Sequence, residues 1–300
     1  MIKYIGRISV CALVLVVGTV LGGMASAALH LALPQLPGQV GTGKLMLLTF
    51  AGAVVLAIAL AELSRQLSGN RRTRFAVIAW LAFAWLGINN TLEASIFTTI
   101  GGAPSVVITM LFSVLFAAGA VALLFGGRGV ETPSCSNLRQ YVAGWTAGQW
   151  TFRLGAAVIA FPVIYFLFGM PVGLIVAKFY QNQQFGLQMP SLAVIVGVQV
   201  IRSLIALLAA LPVLLVWPGS RSRFAWTFGL SLFVISGLYG LLQGYWLPWM
   251  MRGIHTVELL LDSLAYGWVI AVLLLRPSPG AQTSGSDAVG EDIHRVPISP

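Results

Sequence analysis

Charged residues are scarce in this 300-residue chain, where they make up 8% of the sequence. Ordinary soluble domains carry roughly 25%. Hydrophobic residues make up 58%, and the mean hydropathy is +0.91. A soluble fold of this composition would expose large apolar patches, and such patches drive association. The lack of charge therefore argues against a soluble protein and favours one embedded in a bilayer.

Cysteine and recognisable chemical motifs are also scarce. The two cysteines are Cys11, in an apolar run, and Cys135, in a predicted loop, so neither a disulfide framework nor a zinc site is predicted. The sequence holds no cofactor fingerprint and no nucleophile motif, so no cofactor and no catalytic residue is assigned. The net charge of +9 follows membrane topology, and no nucleic-acid partner is predicted.

Long apolar runs are what the chain has instead. A spanning helix needs about 20 predominantly apolar residues. Eight segments meet this need: 8–29, 45–63, 75–100, 106–125, 152–180, 191–217, 224–247 and 256–275. Their apolar character is continuous, whereas the strands of a barrel would alternate over about ten residues. The sequence therefore predicts an all-α polytopic membrane protein, with about eight transmembrane helices in one bundle over residues 1–276.

The distribution of lysine and arginine predicts the orientation. With the N-terminus inside, the basic residues of the cytoplasmic side are Lys3, Arg7, Arg65, Arg71, Arg72, Arg74, Arg128, Arg139, Arg153, Arg221, Arg223, Arg276 and Arg295. Lys44, Lys178 and Arg252 fall outside, and Arg202 lies within the sixth span. Basic residues accumulate in cytoplasmic loops, so both termini are placed in the cytoplasm. Residues 277–300, rich in Ser, Gly and Pro and without aromatics, predict a disordered cytoplasmic tail.

Two spans and one loop have further features. The segment Ala25-Ser26-Ala27 resembles a signal-peptide cleavage site, but the apolar run continues past it, which favours an uncleaved first span. Pro162 and Pro171 predict a bent or broken fifth span. In the loop 126–150, helical spacing of Leu138, Tyr141, Val142 and Trp145 indicates a short helix on the inner interface. No repeat between the two halves is predicted.

Polar residues inside the spans are the candidates for function, because an ionisable group costs about 2.5–3.5 kcal/mol at the bilayer centre. They lie in the third, sixth and eighth spans: Asn89, Asn90 and Glu93; Gln199 and Arg202; His255, Glu258 and Asp262. The last three form one helical stripe, with Tyr266 one turn deeper. Di-iron bundle sites need paired Glu-x-x-His motifs, which the chain lacks, and no metal site is predicted.

The predicted topology puts these residues at a common depth. Glu93, Glu258 and Asp262 fall in the outer half of the membrane, and Arg202 lies near its middle. The sequence therefore predicts one outward-facing polar cavity, with Arg202 contacting one of the three carboxylates. The structural alternative is a salt bridge that only fixes helix packing.

A cavity of this kind predicts a multi-pass protein of the cell membrane that binds or transports a small polar or charged solute. The excess of arginine over lysine and the short loops favour a bacterial inner membrane. One alternative is an intramembrane enzyme that acts at the outer face on a lipid-linked substrate, with two carboxylates dividing the acid and base roles. A second alternative is a non-catalytic assembly or partner protein. No feature selects an oligomeric state.

Overall fold

The computed structural model describes residues 1–38, 40–127, 139 and 141–276. Eight helices are long and apolar enough to cross a membrane: α1 (Ile2–Ala28), α2 (Thr42–Gln66), α3 (Arg71–Phe97), α4 (Ala103–Leu124), α5 (Ala147–Gln181), α6 (Leu192–Leu215), α7 (Arg221–Gln243) and α8 (Trp249–Leu274). The prediction of an all-α polytopic membrane bundle is therefore confirmed. The predicted tail 277–300, together with Cys135 and Leu138, lies outside the described residues.

Polar caps move several helix ends away from the limits that hydropathy predicts. α3 begins at Arg71, because Oδ1 of Asn70 accepts a hydrogen bond from the amide of Thr73 at 2.9 Å. α5 begins at Ala147, because Thr146 starts a capping box there. Such caps satisfy amide groups that have no partner within the helix. Both helices therefore start earlier than their apolar runs.

α5 is one continuous helix through both Pro162 and Pro171. Of the predicted bent or broken fifth span, the break is therefore wrong, because the loss of two backbone donors did not interrupt the rest of the helix, and the bend stays a prediction. α5 is also the most peripheral of the eight helices, since 6% of the residues in its most apolar stretch are buried in the bundle. Its long side chains therefore face outward, among them Leu174, which is 86% exposed.

The helices pack as two units of four with the same pattern of contacts. In the first unit α1 packs on α2 and α4, and α3 packs on α4. In the second unit α5 packs on α6 and α8, and α7 packs on α8. Between the units α2 contacts α7, and α6 contacts α3. The halves therefore repeat at the level of the fold, although their sequences predict no repeat.

Matched details in α3 and α7 support this repeat. Each third helix contains a π-helical segment, Phe83–Asn89 in α3 and Val234–Leu238 in α7. Each also donates a side-chain hydrogen bond across the junction between the units. The Nε1 of Trp80 donates to the carbonyl of Leu208 at 3.0 Å, and the Oγ of Ser231 donates to the carbonyl of Ala59 at 3.4 Å. The two contacts are reciprocal, as a two-fold relation between the units requires.

The predicted cytoplasmic end of each unit is closed by an arginine at the start of its third helix. Arg74 donates to the carbonyl of Phe125, which follows α4, at 3.5 Å. Arg221 donates to the carbonyl of Leu275, which follows α8, at 3.1 Å. The last carbonyls of a helix have no partner within it, and a basic side chain satisfies them. The same capping solution therefore occurs in both units.

The loop before α5 packs against the end of α8 through aromatic side chains. Tyr141, which lies in a short helical segment, donates its hydroxyl to the carbonyl of Leu274 at 2.8 Å. The rings of Trp145 and Trp150 lie 4.8 Å apart, and the guanidinium of Arg153 lies 4.5 Å from the ring centre of Trp145. Part of the predicted interfacial helix is therefore present in the described residues and is anchored to the bundle.

Candidate functional site

Arg202 lies at the centre of a hydrogen-bonded group in the bundle interior, and 4% of it is exposed. Its Nη1 donates to Oε1 of Glu93 at 2.5 Å and to Oε1 of Gln199 at 3.2 Å. Its Nε donates to Oδ1 of Asn89 at 2.5 Å. Asn89 and Glu93 come from α3, so this group joins α3 to α6 across the two units. The buried guanidinium is thus paired and hydrogen-bonded, which its burial requires.

Asn89 and Gln199 lie behind the guanidinium, and each is 0% exposed. The Nδ2 of Asn89 also donates to the backbone carbonyl of Arg202 at 3.3 Å, so one amide holds both the side chain and the main chain of the arginine. The sequence predicts both residues as contacts of a solute. In the structure both side chains hydrogen-bond Arg202, and neither lines the cavity described below.

Asn90 connects the two π-helical segments. It follows the π-helical segment of α3, and its Nδ2 donates to the carbonyl of Ser236 at 3.0 Å within the segment of α7. A π-helical turn shifts the backbone ladder and frees a carbonyl for another partner, and such turns are frequent at functional sites. Apolar periodicity does not reveal a π-helical turn, so the sequence predicts neither segment.

The polar stripe of α8 faces the same interior from the opposite side. Nδ1 of His255 lies 2.6 Å from Oε2 of Glu258, and Glu258 is 8% exposed. Gly169 of α5 leaves room for this carboxylate, since a Cβ built there would lie 2.9 Å from Oε1 of Glu258. The Oδ1 of Asp262, one turn further along α8, is buried and has no hydrogen-bond partner in the protein.

A cavity of about 340 Å³ lies between α3, α5, α6, α7 and α8. Six of the eight predicted residues line it: Asn90, Glu93, Arg202, His255, Glu258 and Asp262. Aromatic side chains form much of the remaining wall: Trp85, Phe161, Tyr165, Tyr180 and Tyr266. Of these, the sequence indicated Tyr266 alone. Phe161 and Tyr165 lie four residues apart on α5 and therefore on one face, but an aromatic pair in an apolar span does not by itself indicate a cavity.

Several buried polar atoms around the cavity have no partner in the protein. Two are acceptors, Oδ1 of Asp262 and Oδ1 of Asn90, and two are donor groups, Nε1 of Trp85 and the hydroxyl of Tyr266. Tyr266 is 2% exposed and lines the cavity. Buried polar groups in proteins are hydrogen-bonded in the large majority of cases. The cavity wall therefore contains both acceptors and donors without partners among the described residues, each of them covered by neighbouring atoms.

Negative groups outnumber positive groups among the described residues that line the cavity. Glu93, Glu258 and Asp262 contribute three carboxylates, while Arg202 contributes one permanent cation, and His255 is already bound to Glu258. Glu93 is neutralised by Arg202. Asp262 is left without a counter-charge. Within the part of the chain that the structure describes, no group of three His, Cys, Asp or Glu side chains has the geometry to hold a metal ion.

The helix of the first unit that takes the place of α8 carries no charge. α4 (Ala103–Leu124) contains no Asp, Glu, Lys, Arg or His, whereas α8 carries His255, Glu258 and Asp262. The first unit therefore folds without a carboxylate in its fourth helix.

The cross-unit contact of Arg202 with Glu93 also has a neutral counterpart. There Gln243 of α7 packs over Gly52 of α2, with its Nε2 3.1 Å from a Cβ built on the glycine. The charged residues are thus found around the cavity between α3 and the second unit, and the counterpart contact between α2 and α7 forms without them.

No family model matches the chain, and comparisons with curated proteins and with solved structures also found no match.

Proposed function

We propose that this multi-pass membrane protein binds a small organic cation in the cavity beside Arg202 and moves it across the membrane. The observation that carries the proposal is Asp262, a carboxylate that lines the cavity and has an oxygen without a hydrogen-bond partner among the described residues, whereas α4, its counterpart helix in the first unit, carries no charged residue. A cationic solute supplies the missing counter-charge.

The energetics of a buried carboxylate support a cationic ligand. An aspartate near the centre of a membrane helix costs about 2.5–3.5 kcal/mol. Arg202 hydrogen-bonds Glu93, Asn89 and Gln199 rather than Asp262, so the carboxylate of Asp262 has no direct ion pair with it. An ammonium group at the free oxygen of Asp262 forms a charge-assisted hydrogen bond, which is about twice as strong as a neutral one.

The aromatic wall supports the same class of solute. A cation is attracted to the face of an aromatic ring within about 6 Å of its centre. Phe161 and Tyr165 already receive the guanidinium of Arg202, at 5.7 Å and 5.9 Å from their ring centres. Tyr180 and Tyr266 line the same space and are available to an organic cation. The hydroxyl of Tyr266 is free to bind a polar substituent of the solute.

The predicted orientation gives the direction of entry. The lining residues of α3 lie towards its C-terminal end, and those of α8 towards its N-terminal end, which are the predicted outer ends of both helices. Towards the predicted cytoplasmic end the bundle is filled by buried side chains that include Phe224 and Phe228. The solute therefore binds from the outside, in a bacterial inner membrane, and transport requires the helices to rearrange below the cavity.

A second candidate function has one observation in its favour. His255 lies 2.6 Å from Glu258, so a carboxylate orients an imidazole that faces the cavity. This arrangement fits a general base, as an enzyme acting on a lipid-linked substrate would need. Turnover of such a substrate, lost in His255→Gln and retained in Asp262→Asn, would favour this candidate.

The test measures binding of tetramethylammonium and of small primary amines to the purified protein in lipid nanodiscs by calorimetry. The wild-type protein should bind at least one of these cations, and Asp262→Asn should lose the binding. The control is Glu62→Gln, since Glu62 is an acid bound to Arg65 at the other end of the bundle and outside the cavity. Equal binding by wild type and Asp262→Asn, or a preference for anions, would overturn the proposal. Uptake of the bound cation into proteoliposomes then tests transport.

A further inference from the structure

A second, smaller space of about 180 Å³ lies beside the cavity, between α5 and the start of α6. We call it the α5 groove. Its walls are mainly apolar, and they include Phe166, Met170, Val172, Met189 and Ile195. Met170 is 66% exposed and Met189 is 49% exposed, so the groove opens at the outer surface of the bundle. In a membrane this surface faces lipid chains.

The α5 groove adjoins the cavity. Five residues line both spaces: Phe97, Tyr165, Tyr180, His255 and Glu258. Among the described residues of the groove, His255 and Glu258 are the imidazole and acid side chains, and they lie at this boundary, while the outer part of the groove is apolar. Charge therefore lies on the inner side of the groove and hydrocarbon on its outer side.

Two glycines of α5 line the groove. Gly169 lies against the carboxylate of Glu258, and a Cβ built on Gly173 would meet no atom within 4 Å. A large side chain placed at Gly173 would therefore project into open space beside the groove.

We propose that the α5 groove holds the hydrocarbon chain of a single-chain amphiphile whose cationic head occupies the cavity. This proposal rests on the proposed function and names its substrate class as a lipid-like amine or quaternary ammonium compound. The molecule enters sideways from the outer leaflet between α5 and α6. Its chain stays in an apolar environment throughout, because lipid tails and apolar side chains are equivalent surroundings for it. Only the head has to lose its contact with interfacial water, and Glu258 and Asp262 receive it.

The experiment uses a decyltrimethylammonium analogue with a diazirine in its chain, with the full-length protein in zwitterionic nanodiscs. After irradiation, mass spectrometry of peptides should place the label on groove residues such as Met170 and Ile195. Labelling should be lost in Asp262→Asn and should be displaced by excess tetramethylammonium, because the two heads share the cavity. Gly173→Phe, which fills the groove, should lose the label and keep the affinity for tetramethylammonium. Gly155→Phe is the matched control, since Gly155 lies on α5, outside the groove and in open space.

The outcomes separate the two proposals. A label spread evenly over lipid-facing residues such as Leu174 and Leu208, unaffected by Gly173→Phe, would overturn the α5 groove as a binding site. If tetramethylammonium still bound in an Asp262-dependent way, the proposed function would stand with a chainless solute. Absence of binding for both compounds would remove the proposed function and this inference together.

Discussion

Arg202 on α6 donates through Nη1 to Oε1 of Glu93 on α3 at 2.5 Å, and this salt bridge joins the two four-helix units. The arginine is 4% exposed, whereas the glutamate side chain keeps 29% of its surface and faces the cavity. The pair therefore serves two purposes at once. It holds the units together, and it presents a neutralised carboxylate beside the unpaired Asp262.

Replacing Arg202 by leucine should destabilise the protein strongly. Removing one partner of a buried ion pair leaves the other charge uncompensated, which costs about 3–5 kcal/mol in soluble proteins. Arg252→Leu, outside the described ion pairs and near the predicted outer end of α8, should cost much less. Thermal unfolding in detergent measures both variants.

The double variant Arg202→Leu with Glu93→Gln identifies the partner. It should recover much of the stability lost in Arg202→Leu, whereas adding Glu258→Gln to Arg202→Leu should not. If stability returns without cation binding, the pair is part of the site. If stability and cation binding both return, the pair only fixes helix packing. Equal losses of stability in Arg202→Leu and Arg252→Leu would contradict the central role of this ion pair.

Two adjacent glycines of α1 should respond differently to alanine. A Cβ on Gly22 would lie 2.6 Å from the Cα of Thr109 on α4, while a Cβ on Gly23 would meet nothing within 4 Å. Gly22→Ala should therefore destabilise by about 1–3 kcal/mol, the usual cost of overpacking. Gly23→Ala should be neutral or slightly stabilising, because alanine favours the helix. Unfolding of both variants is measured under the same conditions, and equal effects would contradict the close contact of α1 with α4.

Reporter fusions test the predicted topology. A fusion in the turn at Gln184, between α5 and α6, should report the exterior. Fusions after Ser134, which lies outside the described residues, and after Arg276 should report the cytoplasm. The physical basis is the excess of basic residues in the loops assigned to the inside. A cytoplasmic signal at Gln184 would require a different orientation or number of spans.

The purified protein should retain Met1 to Ala27. α1 contributes to the bundle through polar contacts as well as packing, since Oγ of Thr19 lies 2.9 Å from Oγ of Ser113, and Oγ of Ser26 donates to the carbonyl of Ser105 at 3.2 Å. Cleavage after Ala27 would remove these contacts and expose to lipid the face of α4 that packs on α1. Intact-mass measurement decides the matter, and a mass without this segment would leave seven spans.

The sequence predicted best the features that depend on one helix at a time. Hydropathy alone placed all eight spans, because a bilayer fixes how long an apolar helix must be. The polar residues within spans stood out for the same reason, and six of the eight line one cavity. Pro162 and Pro171 alone did not distinguish a bent from a broken α5, and the structure excludes the break, since one missing hydrogen bond does not end a long span.

By itself the sequence determined membrane residence, the number of spans and the residues too polar to face lipid. Only the tertiary structure decided that Arg202 pairs with Glu93 rather than with Glu258 or Asp262, because that choice depends on the contact of α6 with α3 across the two units. The tertiary structure also showed the π-helical segments of α3 and α7 and the similar packing of the two units. Apolar side chains satisfy lipid and protein neighbours equally well, so helix order in a bundle is set by the close fit of small residues and by a few polar contacts, which a hydropathy pattern does not contain.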